Sequence, residues 1–224
     1  MSLQELPPTL YEVFAQVGKA LSSPHRLRIL NLLSQRDWSV DELADALGQS
    51  TANTSAHLQV LRQAVLVERR RQGKRVYYSI AGEQAASLWL TLRDMGLTEL
   101  PNARELMRRY RGEPRSLSLL NSDELRDKIA SGEIVLLDLR PSREYESGHL
   151  PWARSIPLDE LEERIAELPA DKKIVAYCRG PYCVGAITSV ETLREYGRDA
   201  HILRESVLEW RALGLSLETA EVPA

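Results

Sequence analysis

Cysteine is almost missing from this chain of 224 residues: there are two, Cys178 and Cys183. That excludes a small fold stapled by disulfides. Five positions apart, with no further cysteine and no histidine nearby, they also supply too few ligands for a metal clip. Long apolar runs are lacking as well, and none approaches the ~20 residues of a membrane span. The opening segment MSLQELPPTLYE has no basic stretch leading into an apolar one, so no secretory signal is expected. Internal repeats and low-complexity tracts are absent. These absences predict a cytoplasmic chain with reduced thiols and no membrane partner. What is present is 43% hydrophobic and 27% charged residues, enough to bury real cores at a length that suits two domains.

The net charge of −3 conceals an asymmetry. Residues 1–115 carry 16 Lys and Arg against 12 Asp and Glu, whereas residues 116–224 carry 13 against 20. A basic first half and an acidic second half predict two modules with different partners. The segment RGEPRSLSLLNS has the Gly, Pro, Ser and Asn of a connection. Domains are expected over 1–112 and 121–224, with a linker over 113–120.

The first half is punctuated like a set of short helices. Thr9 and Glu12 have capping-box spacing, and Pro24 suits a first helical turn ahead of Leu27, Leu30 and Leu33. Ser39 and Glu42 repeat the capping box, and Gly48 ends that helix. Ser50 then caps TANTSAHLQVLRQA, in which Thr54, Leu58 and Leu61 share one face while Thr51, Asn53, Ser55 and Gln59 lie largely off it. A short helix, a tight turn and a helix with small hydrogen-bonding outer residues spell a helix-turn-helix. The segment VLVERRRQGKRVYYSI follows as a hairpin around Gln72, Gly73 and Lys74, carrying Arg69, Arg70, Arg71, Lys74 and Arg75 against one acid, Glu68. Arg62, Arg70, Lys74 and Arg75 are the expected phosphate contacts, and Ser50, Thr51, Asn53, Ser55 and Gln59 the expected groove-facing set. A solvated edge hairpin is the plainer alternative for the arginines.

On these segments, residues from about 9 to 110 resemble the ArsR family of winged-helix repressors. The resemblance implies a homodimer, built from the first and last helices of the domain, on a palindromic double-stranded DNA operator. One departure is Val65, where the family usually has glycine at a helix end. Metal-sensing members carry paired cysteines in the helix that here reads VDELADAL, and zinc-binding members carry His and carboxylate clusters in the counterpart of EQAASLWLTLRDMGL. Neither is present. Metal sensing and other cofactors are therefore not expected, and His57 is read as a packing residue.

The second half alternates strands (IVLLDL, KKIVAYC, AHILR) with helices, the pattern of a parallel α/β sheet. Cys178 falls at the end of a strand, where such sheets place reactive groups. The loop Arg179, Gly180, Pro181, Tyr182 and the helix after it would surround its sulfur with N–H groups and favour a thiolate. A buried, inert thiol is the competing reading, stronger for Cys183 than for Cys178.

The segments LLDLRPSREYESGHLPWARSIPL, IVAYCRGPYCVGA and EWRALGL resemble a single rhodanese domain over about 117 to 219. The resemblance implies that Cys178 takes a sulfane sulfur from thiosulfate, polysulfide or a low-molecular-weight persulfide. It also implies that Asp138 and Arg140 support the loop. Related phosphatases have a loop one residue longer, with an Arg six positions after the Cys; position 184 here is Val. Three departures stand out. Cys183 replaces a basic loop residue, for which Arg179 can substitute; Trp152 replaces a common glycine; and Glu205 and Ser206 replace paired glycines, adding bulk and charge at the expected rim. The fold class expected is thus a mainly-α winged helix-turn-helix followed by an α/β rhodanese-like parallel-sheet domain. Three functions are open: a repressor that senses sulfur through Cys178, with Cys183 as a resolving thiol; a sulfurtransferase with an accessory DNA-binding domain; or a regulator whose rhodanese fold is an inert ligand or partner module with no covalent step.

Overall fold

Proline, serine and glycine set the helix ends of the first eighty residues. The computed structural model describes residues 7–73, 75–103, 105, 116–117, 123–180 and 183–219. Helix α1 spans Pro8–Leu21 with Pro7 as its N-cap and no side-chain cap. The Thr9–Glu12 capping box therefore does not form. Pro8, whose fixed φ suits a first helical position and which has no amide to satisfy, starts the helix one residue before Thr9. Helix α2, Pro24–Leu33, buries Ile29, Leu30 and Leu33, while Leu27 is only half-buried.

Helix α3, Val40–Leu47, has its capping box: Ser39 Oγ accepts from the Glu42 amide, and Glu42 accepts from the Ser39 amide at 2.9 Å. Gly48 closes it in the left-handed region at φ 63°. Ser50 caps helix α4, Thr51–Gln63, accepting from the Asn53 amide at 3.2 Å. Strands β2 (Val67–Gln72) and β3 (Arg75–Ile80) pair antiparallel with Gly73 turning between them, and β1 (Trp38–Ser39) adds to β3. Lys74 lies outside the described residues.

Helix α5 spans Gly82–Thr98. The chain forms two compact units, Met1–Ala85 and Ala86–Ala224, so α5 begins in the first and continues in the second. Of the linker expected over 113–120, only Ser116–Leu117 is described, as strand β4.

The second unit is built on a five-stranded, wholly parallel sheet ordered β4-β8-β7-β5-β6, with β5 Ile134–Asp138, β6 Arg154–Ser155, β7 Lys173–Tyr177 and β8 Ala200–Leu203. Helices α6 (Asp123–Ala130), α7 (Ser142–Ser147), α8 (Leu161–Arg164) and α9 (Val184–Glu195) lie between successive strands, and α10 (Val207–Ala212) follows the last. Both faces are apolar, as a sheet covered on both sides requires. Leu137, Ile174, Ala176, Cys178 and Ile202 pack with Ile187, Val190 and Leu193 of α9. On the other face Leu136, Val175, Tyr177 and Leu203 pack with Leu125, Ile129 and Trp210. No described helix is long and apolar enough to cross a membrane.

Two non-glycine residues have a left-handed backbone, Val65 at φ 56° and Trp152 at φ 64°. They are two of the positions at which the sequence departs from an expected glycine.

Candidate functional site

Strand β7 is flanked by β5 and β8 and ends at Tyr177, so Cys178 emerges from the carboxyl edge of the sheet interior. The two-residue alternation of a strand sends Tyr177 to one face and Cys178 to the other, toward α9. Cys178 is buried, and Cys183, half-buried, packs against the same cluster and occupies the N-cap position of α9. Neither is in a disulfide. Gly180, at φ +112°, makes the turn that brings the chain back. Pro181 and Tyr182 lie outside the described residues.

The two sulfurs act on each other as well as on the loop amides. The Cys178 thiol donates to Cys183, and the backbone amides of Ala186, Arg179 and Gly185 add to it; against burial, these hold Cys183 down at about 6. Cys178 is pushed up by that same donation and by burial. The two thiols are thus linked, and ionising one disfavours ionising the other. The amides of Gly185 and Ala186, at the start of α9, act on Cys183, and the Arg179 amide acts on both sulfurs.

Arg179 does not face outward as a free anion ligand. Its Nε lies 3.1 Å from both carboxylate oxygens of Glu144 and its Nη2 2.5 Å from Oε1, tying the loop to α7. Asp138 and Arg140 form a buried pair: Asp138 Oδ1 accepts from the Arg140 amide at 2.9 Å, and Oδ2 from Nη2 at 2.6 Å. Arg140 Nη2 also donates to the Gly148 carbonyl at 2.8 Å. Tyr177, one residue before Cys178, donates its hydroxyl to Asp138 Oδ2 at 2.5 Å and accepts from the Leu150 amide at 3.1 Å. This network fixes the strand end from which Cys178 projects. Glu205 and Ser206, expected at a rim, are buried instead. Ser206 caps α10 in a capping box with Glu209.

Sequence reasoning missed Glu144 and Tyr177. Tyr177 had a readable signal, since β-pairing sets it opposite Asp138. Glu144 had none, because nothing in the chain order ties it to Arg179.

In the first unit, helix α4 divides as its spacing predicts. Thr54, Leu58 and Leu61 are fully buried, whereas Ser50, Thr51, Asn53, Ser55, Gln59 and Arg62 are exposed. Asn53 Nδ2 donates to Gln49 Oε1 at 2.7 Å, and Thr51 Oγ1 lies 3.4 Å from Asp41 Oδ1. Arg69, Arg70, Arg71 and Arg75 are exposed along the hairpin. Arg70 pairs with Asp37 at 3.1 Å. The histidines are less scattered than their sequence positions suggest: His25 and His57 stack with ring centroids 5.6 Å apart. Among the described residues no three His, Cys, Asp or Glu side chains gather as a metal site.

Residues 23–69 match the family described as "Bacterial regulatory protein, arsR family", and residues 121–213 match the rhodanese-like domain. The HTH-type transcriptional regulator Rv0324 of Mycobacterium tuberculosis is 41% identical over 209 residues, spanning 93% of this chain and 92% of that protein. The chain belongs to the ArsR family of transcriptional regulators. This regulator carries a rhodanese-like domain after its winged helix-turn-helix. That second domain is 30% identical over 103 residues to a protein named sulfurtransferase from Allochromatium vinosum, spanning 46% of this chain and 95% of that one. A solution structure of the homodimeric winged helix-turn-helix DNA-binding domain of a possible ArsR-family regulator from Mycobacterium bovis is 40% identical. It covers 45% of the regulator and 96% of that chain, with a TM-score of 0.40.

Proposed function

We propose that this regulator is a homodimeric repressor whose rhodanese-like domain takes up sulfane sulfur at the Cys178–Cys183 pair and thereby releases operator DNA. The observation that carries the reading is the pairing itself. The only two cysteines of a DNA-binding chain stand in one six-residue loop and pack in one cluster at the edge of a parallel sheet.

The chemistry follows from that proximity. As Cys178 approaches a donor, Cys183 takes its proton and Cys178 attacks the outer sulfur of thiosulfate. The donor's S–S bond breaks, sulfite leaves with the electron pair, and Cys178 holds a persulfide. Cys183 then attacks the Cys178 sulfur, hydrogen sulfide departs, and a Cys178–Cys183 disulfide remains. Two thiols are oxidised and one sulfane sulfur is reduced, so no outside oxidant is needed. Either product changes the loop, and a repressor that binds DNA better with one loop form responds by a shift in population. Ser50, Thr51, Asn53, Ser55 and Gln59 would read bases, and Arg62, Arg70, Lys74 and Arg75 would hold phosphates.

The named sulfurtransferase relative favours a second reading, in which the persulfide passes to cyanide or a thiol in turnover. Operator titrations with reduced and thiosulfate- or polysulfide-treated protein, each verified by intact mass, separate the two. Weaker DNA binding after a gain of sulfur supports the sensor. Unchanged binding with rapid cyanide-dependent turnover supports the enzyme.

A further inference from the structure

Arg93, on helix α5, is a buried cation far from the sulfur loop in sequence and against it in space. Its side chain is 10% exposed. Nε and Nη2 each lie 3.0 Å from Asp94 Oδ1, and Nη2 lies 2.6 Å from Glu209 Oε1. The other oxygen of Glu209 accepts from the Ser206 amide at 2.8 Å and from Ser206 Oγ at 2.5 Å, closing the cap of α10. A Cβ added to Gly180 would stand 3.1 Å from Arg93 Nη1 and 3.8 Å from Ser206 Oγ. The guanidinium therefore rests against Gly180, two residues after Cys178. All of these residues belong to the second unit, whereas the helix that bears Arg93 starts at Gly82 in the first.

We propose that Arg93 couples the state of the sulfur loop to helix α5, a positioning role that rests on the sulfur-uptake reading above. Cys178 is 2% exposed within a close-packed cluster, so an added sulfur needs room that the core does not hold. The chain at Gly180 then moves, and Arg93 is what it moves against. Displacing the guanidinium leaves the Glu209 carboxylate, itself only 12% exposed, without its cation. The contact therefore has two arrangements: Arg93 seated on Gly180 and paired with Glu209, or displaced from both. Helix α5 is continuous from Gly82 to Thr98, so its change of seating reaches the start of the helix along its own backbone.

The test is hydrogen exchange on the full chain before and after methyl methanethiosulfonate. This reagent places a methylthio group on a reachable thiol whether or not the protein accepts sulfane sulfur. In the wild type, labelling should speed exchange of the Arg93 to Gly96 amides at least tenfold. Arg93→Gln and Glu209→Gln should exchange fast before labelling and not respond to it, while Arg93→Lys should regain the response. Unchanged exchange in the labelled wild type overturns the proposal, as does an Arg93→Gln protein that responds like the wild type. A loop whose cysteines both refuse the label overturns it too. Failure of sulfur uptake itself is read separately, as no gain of mass with thiosulfate or polysulfide.

Discussion

Arg179 is held by Glu144 through three short contacts, Nε to both carboxylate oxygens at 3.1 Å and Nη2 to Oε1 at 2.5 Å. The carboxylate is 2% exposed and the guanidinium side chain 37%. Breaking a fully buried pair costs ~3–5 kcal/mol, and solvent access to Arg179 reduces that. Glu144→Gln should lower unfolding stability by about 2 kcal/mol in a urea titration with an unchanged slope. A loss near zero would mean that Glu144 does not hold the loop.

The thiol pair predicts a pH profile. Cys183 lies at about 6 against an ordinary 9.0, first because Cys178 donates to it. Its folded value is below its unfolded one, so its contribution to stability is complete above 9 and lost as pH falls through 6. Cys178, shifted upward, acts oppositely, and stability should decline above 9. Alkylation of Cys183 should be half-maximal near pH 6 and move toward 9 in Cys178→Ala. A midpoint that ignores this substitution would refute the link between the two thiols.

Val65 and Trp152 hold left-handed backbone at φ 56° and 64° where glycine would be at ease. Such a conformation costs an L-residue roughly 1–2 kcal/mol, of which glycine returns about 0.5–1 through its freer unfolded chain. Val65→Gly should therefore raise stability by about 0.5–1 kcal/mol, since the side chain is 73% exposed and gives up little contact. Trp152→Gly should gain less, because its indole is only half exposed. Thermal unfolding of both variants checks the order.

The same two residues mark how much was legible in the chain. Local rules worked wherever a turn of backbone decides: Ser39 with Glu42, Ser50, Gly48 and the buried stripe of Thr54, Leu58 and Leu61. The strand-end position of Cys178 followed from the alternation of strands and helices. Capping failed at Thr9 because a neighbouring proline outranked a side-chain cap. The rest was tertiary. Arg179 finds Glu144 35 positions away and Arg93 finds Glu209 116 away, and no periodicity encodes such pairs. That the amides of Gly185 and Ala186 act on Cys183 was not legible either, because only the fold supplies the orientation of α9.

For the DNA-binding half, Arg62→Ala should reduce the slope of log affinity against log salt by about 1, uniformly across sequences. Asn53→Ala should instead cost about 1–3 kcal/mol on the operator alone and relax preference at one base pair. Equal losses on specific and random DNA would remove Asn53 from base reading.

The most direct measurement is the operator affinity of wild-type and Cys178→Ser protein, each before and after polysulfide treatment. The account predicts at least a tenfold loss in the treated wild type and no change in the serine variant. An equal response from both proteins would contradict it.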